Sequence, residues 1–182
     1  MNFLENALVK RIHASVAREE YFEETGDAFY LVDQVGRKQH SVMFDCKFDE
    51  TAKLFLSLPT ITKNIYVTIT DGDPKLVRYV IGAIEDHEIE ECAHIGDVIL
   101  LDAPALRKFS ICGVMLLAAS LFHALDHVPN HLIFDGEEYK FVSVCFLTDF
   151  EHGLWKQEGH DALMDYFTKT EKDLISFGLD MN

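Results

Sequence analysis

The first residues of the chain show the spacing of an amphipathic helix. Apolar residues recur three or four positions apart, and charged residues lie between them: Phe3, Leu4, Leu8, Ile12 and Val16. Gly26 is the first strong helix-stop signal after this stretch. The pattern therefore predicts a helix that ends before Gly26.

Strand-forming residues dominate the next part of the chain. Residues 28–35 and 40–48 predict two short strands, joined by a turn at Gly36-Arg37-Lys38. After them, Asp49 is suited to capping a helix. We expect a short helix over residues 51–58, because Pro59 would then end it.

A strand, a tight turn and a helix follow one another in the middle of the chain. Residues 65–70 are β-branched or aromatic and end at Asp71-Gly72, a turn signal. Asp73-Pro74 then predicts a helix start, with Asp73 as N-cap and proline in the first helical position. The helix is continued by an apolar stripe: Leu76, Val77, Val80, Ile81 and Ile84.

The second half of the chain contains both predicted strands and a predicted helix. Residues 95–101 predict a strand, and residues 110–123, small and apolar nearly all round, predict a buried helix. Residues 131–134 and 139–147 predict a hairpin, because Asp135-Gly136 between them favours a tight turn.

A capping box follows the hairpin. Thr148 can accept a hydrogen bond from a backbone N–H, and Glu151 can reach back to the start of the helix. The helix that begins there has a possible break at Gly159. Strands with interspersed helices indicate an α/β protein of the α+β type, with helices packed on one mixed sheet. A length of 182 residues fits a single domain spanning 1–182.

Charge narrows the classes of partner. The chain has 31 Asp and Glu against 16 Lys and Arg, a formal net charge of −15, while 48% of its residues are hydrophobic. The apolar fraction is sufficient for a core. An acidic surface disfavours nucleic acid and anionic membranes as direct ligands and favours a basic protein partner. The oligomeric state is left open.

Cysteine usage and the N-terminal residues indicate a reducing compartment. The four cysteines form no C-x-x-C pair and mostly lie among apolar residues, which is typical of reduced thiols in a core. Residues 1–5 lack the basic start and apolar run of a signal peptide. We expect a cytoplasmic protein.

The densest acidic stretch is the predicted partner-binding surface. Residues 87–94 alternate polar and apolar positions, as in an edge strand or loop with a solvated acidic face. Asp71 and Asp73, in the turn before the central helix, are possible neighbours of this stretch. The candidate partner-binding residues are therefore Asp71, Asp73, Glu85, Asp86, Glu88, Glu90 and Glu91.

A metal site is the alternative. His123 and His127 share one helical face if residues 110–127 are helical, and Asp126 lies where an inverted zinc-peptidase motif, H-x-x-E-H, has Glu. Asp is one methylene shorter, and Pro129 would end the helix before His131. A histidine-rich helix end accounts for the same spacing without a metal and is the preferred interpretation. We therefore predict no metal, no cofactor and no catalytic residue.

The C-terminal half resembles a known family. The run Phe141-Val-Ser-Val-Cys-Phe-Leu-Thr-Asp-Phe-Glu151, then Gly159, Ala162-Leu163 and Phe167, is similar to the closing segment of suppressor-of-fused-like domains. The similarity covers roughly residues 95–174. It implies a mixed α/β domain that binds proteins without catalytic residues. Bacterial members often resemble immunity proteins, which neutralise a co-encoded toxin by binding it.

Three hypotheses follow. The leading one is a non-enzymatic protein-binding module of the bacterial immunity type. The second is a metal-dependent hydrolase that uses His123, Asp126 and His127. The third is an acidic mimic of nucleic acid that blocks a nucleic-acid-binding enzyme; its carboxylates would be expected to repeat evenly rather than cluster at residues 85–91.

Overall fold

A single mixed β-sheet organises the protein. The computed structural model describes residues 7–16, 22–32, 38–59, 63–119, 128–174 and 177. In this part of the chain eight strands form one sheet in the order β1-β2-β3-β4-β8-β6-β5, and β7 pairs with β8 as well. The strands are β1 (Phe22–Val32), β2 (Lys38–Cys46), β3 (Lys53–Ser57), β4 (Asn64–Thr70), β5 (Val98–Leu100), β6 (Ile111–Ala118), β7 (His131–Phe134) and β8 (Glu137–Thr148).

Strand β8 joins the two halves of the sheet. On one side it runs parallel to β4, with Ile65 opposite Phe141, whereas the other described strand pairs are antiparallel. β6 and β7 pair with different stretches of β8, since Ala118 lies opposite Val142 and His131 opposite Lys140. Twelve residues of β8 thereby hold three neighbours in register.

Five described helices accompany the sheet: α1 (Ala7–Val16), α2 (Pro74–Glu91), α3 (Pro104–Arg107), α4 (Asp149–Glu158) and α5 (His160–Thr170). None of the helices within the described ranges has the length and apolar character needed to cross a bilayer. With helices packed on a mixed sheet, the predicted α+β fold class is confirmed.

Both faces of the sheet are buried. Along β4, Ile65 and Val67 point into one core layer and Tyr66 into the other, as the two-residue period of a strand requires. The first layer includes Ile12 of α1 and Leu163 of α5, and the second includes Val80 of α2. The central strands are therefore apolar at almost every position.

This double burial explains two wrong predictions. The helices expected over 51–58 and 110–123 are replaced by β3 and β6, and all described residues of 54–57 and 111–117 are buried. A strand covered on both faces reads as a continuous apolar run, which periodicity cannot distinguish from a buried helix. Asp49 caps a turn instead, because its Oδ1 accepts from Thr51 N at 2.9 Å.

The other local signals are largely confirmed. α1 occupies the first amphipathic stretch but ends at Val16, and Gly26 lies inside β1 near a register shift. Asp135 and Gly136 have φ of 50° and 78°, the positive values that a tight hairpin turn needs. Gly159, at φ 91°, separates α4 from α5. The turn at 36–37 lies outside the described residues.

Candidate partner-binding site

The carboxylates that precede α2 have structural roles. Asp73 caps the helix, since its Oδ1 accepts a hydrogen bond from Lys75 N at 2.7 Å. Asp71 Oδ1 accepts from Phe177 N, also at 2.7 Å, and so ties the C-terminal segment to the turn after β4. Both side chains stabilise backbone N–H groups that would otherwise lack an acceptor.

The remaining candidate carboxylates lie at the opposite end of the same helix. Residues 87–91 belong to α2, not to the edge strand or loop that we predicted. At a rise of 1.5 Å per residue, Glu85 is roughly 18 Å along the helix from Asp73. The structure therefore separates Asp71 and Asp73 from the C-terminal acidic residues, and one continuous patch is excluded.

Glu88 is buried within this acidic stretch. Its side chain faces β4, where Oε2 accepts a hydrogen bond from Tyr66 OH at 2.6 Å and Oε1 accepts one from Asn64 Nδ2. The residue is only 7% exposed. Glu88 is thus an anchor between α2 and the sheet and not part of a partner surface.

Burial also changes the chemistry of Tyr66. The loss of water around the phenol, followed by its hydrogen bond to Glu88, raises the pKa of Tyr66. The tyrosine backbone N–H donates to Ser57 Oγ at 2.8 Å. The sequence did not identify Asn64 and Tyr66 as partners of Glu88, because the sequence of a strand does not show which residue of a helix will pack against it.

We use the name acidic helix end for the carboxylates of the last two turns of α2 other than Glu88: Glu85, Asp86, Glu90 and Glu91. The last turn of α2 has no basic residue, and residues 85–97 contain no Lys or Arg. The C-terminus of a helix carries partial negative charge, so carboxylates there are destabilising. The arrangement leaves a negative field that a cation would offset.

Apolar side chains are exposed beside these carboxylates. Ile89 is 42% exposed within the helix, and Ile95, in the loop after it, is 52% exposed. Cys92 ends α2 in the left-handed conformation, at φ 59°, and its N–H donates to Glu88 O. The loop is held by Asp97, whose Oδ2 accepts from His94 N at 2.7 Å.

A second region with binding geometry lies where β6 begins and β8 ends. It is an open groove of about 680 Å³ between α4 and the end of α5. At its side, Lys172 Nζ donates to Glu151 Oε1 at 2.6 Å and to Phe146 O at 2.9 Å. The capping box positions Glu151, since Thr148 N donates to Glu151 Oε2 at 2.8 Å.

The three buried cysteine thiols are poor nucleophiles. Burial raises the pKa of Cys46 to about 12, that of Cys112 to about 11 and that of Cys145 to about 12. These three thiols are therefore protonated at neutral pH, as core cysteines usually are. Cys92 differs from the prediction of core cysteines, because it is exposed.

The alternative metal site predicted from the sequence involves two histidines and an aspartate. His123, Asp126 and His127 lie outside the described residues. His131 is exposed at the start of β7. Across the described ranges, no group of three or more His, Cys, Asp or Glu side chains is arranged to hold a metal ion.

Comparison with known proteins identifies the class of fold. No family model and no curated protein sequence matches the chain. The chain is similar to a solved structure of a protein from Neisseria gonorrhoeae FA 1090, described as "Putative SUFU (suppressor of fused protein) homolog". The match has a TM-score of 0.67 and covers 94% of this chain and 92% of the other, at 9% identity.

The chain is therefore an α+β protein with a suppressor-of-fused-like fold. The resemblance noted in residues 95–174 extends, at the level of backbone structure, to almost the whole chain. At 9% identity the similarity concerns the fold alone.

Proposed function

We propose that this protein is a non-enzymatic binding module that holds a basic partner protein at the acidic helix end. The observation that carries the proposal is the concentration of Glu85, Asp86, Glu90 and Glu91 at the negative end of α2, in a stretch of sequence, residues 85–97, that contains no Lys or Arg. These charges oppose the helix dipole, and a cationic partner would relieve that unfavourable interaction.

The side chains around these carboxylates support the proposal. Ile89 and Ile95 offer exposed apolar area next to charge, and protein interfaces combine an apolar centre with a polar rim in this way. Glu88 supports the surface from beneath, because its hydrogen bonds to Tyr66 and Asn64 hold α2 on the sheet. A net charge of −15 would also accelerate the encounter with a cationic protein.

The fold supports the finer form of the proposal, in which the partner is a toxin that this protein neutralises in bacteria. The resemblance to suppressor-of-fused-like domains implies protein binding, and its bacterial members that resemble immunity proteins imply neutralisation. Many toxins that attack nucleic acids are basic, which matches the charge of the acidic helix end.

Affinity capture with paired variants tests the binding. The immobilised protein is incubated with lysate of the source cells, and captured proteins are eluted along a salt gradient. We expect a basic protein that elutes early in salt and is captured at least about fivefold less by the Glu90→Gln/Glu91→Gln variant. Glu50→Gln/Glu158→Gln is the matched control, since it removes two exposed carboxylates elsewhere.

The control variant decides the outcome. Capture that is equal for both double variants, or that does not depend on salt, would refute binding at the acidic helix end. For the neutralisation step, the captured protein is expressed in a bacterial host alone and with this chain. Growth arrest that the chain relieves, and that Glu90→Gln/Glu91→Gln relieves less, is expected; a harmless captured protein would contradict the immunity role.

A further inference from the structure

The groove between α4 and α5 has an apolar floor and aromatic walls. Ile111, Phe146 and Leu147 are buried and form its base. Above them, Phe150 and Tyr166 lie with ring centroids 5.3 Å apart. Phe150 is 64% exposed although it is a large apolar side chain, so much of it remains in contact with water.

The polar rim of the groove is acidic. Glu171 and Asp173 line it and are exposed. Lys172 also lines it, but its ammonium is engaged by Glu151 and by the carbonyl of Phe146, which offsets its charge. The C-terminus of α5 contributes further negative potential, because Glu171 is its C-cap.

The groove is separate from the acidic helix end. Phe177 packs edge-to-face on Phe146 in the groove, and its ring also lies against Gly72, just before α2. The groove is therefore on the side where α2 begins. The acidic helix end is at the other terminus of an 18-residue helix, about 27 Å long.

We propose that this groove binds a short segment of a partner protein in which one large apolar side chain is flanked by Lys or Arg. The apolar side chain packs on the exposed ring of Phe150, beside Tyr166, where removal of aromatic surface from water provides most of the affinity. The flanking cations lie against Glu171 and Asp173. This is a second surface, and it does not depend on binding at the acidic helix end.

A heptapeptide display library panned on the immobilised folded protein tests the groove. We expect enrichment of peptides with a central Phe, Trp, Leu or Met and with Lys or Arg on either side. Binding of the enriched peptides, measured by fluorescence anisotropy, should weaken at least about tenfold in Phe150→Ala. Glu171→Lys reverses a charge on the rim of the groove. It should therefore weaken peptide binding more at low salt than at high salt.

Phe48→Ala is the matched control, since Phe48 is 50% exposed in the turn between β2 and β3 and does not line the groove. It should leave peptide binding unchanged. Each of three results overturns the proposal: no enrichment, enrichment of peptides with acidic flanks, or equal loss in Phe48→Ala and Phe150→Ala. A protein dimer that dissociates in Phe150→Ala would identify a second copy of the chain as the occupant, and would overturn it as well.

Discussion

Lys172 Nζ lies 2.6 Å from Glu151 Oε1, and both side chains are largely buried, at 14% and 7% exposure. The pair joins the first turn of α4 to the segment after α5. Lys172 also lies 4.7 Å above the ring centroid of Phe167, and its ammonium donates to Phe146 O. A single cation thus ties α4, α5 and the end of β8 together.

Replacement of this lysine should be strongly destabilising. In Lys172→Met the Glu151 carboxylate loses its counterion while it stays buried, which costs about 3 kcal/mol in comparable pairs. We expect the free energy of unfolding in urea to fall by that amount. Glu151→Gln/Lys172→Met should be less destabilised than the single variant, because no buried charge is left unpaired. Equal losses in the two variants would contradict a buried ion pair.

The hydrogen bond between Tyr66 and Glu88 predicts a pH dependence. The pKa of Tyr66 is raised in the folded protein, so the neutral phenol is the form that stabilises the fold. Its contribution is complete below about pH 10, where unfolded tyrosine is protonated, and it is lost as the pH rises from there toward the folded pKa. Stability should fall by about 1.4 kcal/mol per pH unit above pH 10 on account of this residue.

Tyr66→Phe isolates that contribution. At pH 7 the variant should lose about 1–3 kcal/mol, because Glu88 is left without its phenol donor. Above pH 10 the difference between the two proteins should shrink, as measured by urea unfolding at several pH values. If the difference in free energy of unfolding between the two proteins stayed constant from about pH 7 to 11, Tyr66 would have the same pKa in the folded and unfolded states.

Replacement by alanine should have opposite effects on stability at two glycines, one in β6 and one in α4. A Cβ added at Gly113 would meet Ile99 O at 2.6 Å, and backbone cannot move aside as a side chain can. Gly113→Ala should therefore lower the free energy of unfolding by about 1–3 kcal/mol. Gly153 lies within α4 with nothing near its position for a Cβ. Gly153→Ala should stabilise the protein by about 0.5–1 kcal/mol.

Thermal and urea unfolding of both variants decide this prediction. If Gly113→Ala is as stable as the unmodified protein, β5 does not approach β6 as closely as the geometry requires. If Gly153→Ala is destabilised, space around α4 is smaller than the structure indicates.

Elements with a local cause were predictable from the sequence. The hairpin turn at Asp135-Gly136 and the capping box of Thr148 and Glu151 depend on residues within three or four positions of one another. The same holds for Asp73 at the start of α2. Each signal acts through backbone N–H groups or backbone angles close by, so the surrounding fold has little effect on it.

The candidate site was predictable only in part. The acidic stretch 85–91 is visible in the sequence, but its helical conformation and the burial of Glu88 are not. Glu88 is charged like its neighbours, and only its position opposite Asn64 and Tyr66 makes it internal. The groove could not have been predicted either, because Phe150 and Tyr166 come from two helices that a break at Gly159 turns toward each other.

The sequence by itself determined an acidic α+β protein, its hairpin, its helix starts and the resemblance to suppressor-of-fused-like domains, because composition and short-range signals suffice for these. The tertiary structure decided that β3 and β6 are strands, since an apolar run becomes strand or helix according to what covers its two faces. It also decided which carboxylates are exposed, since burial depends on partners that are distant along the chain.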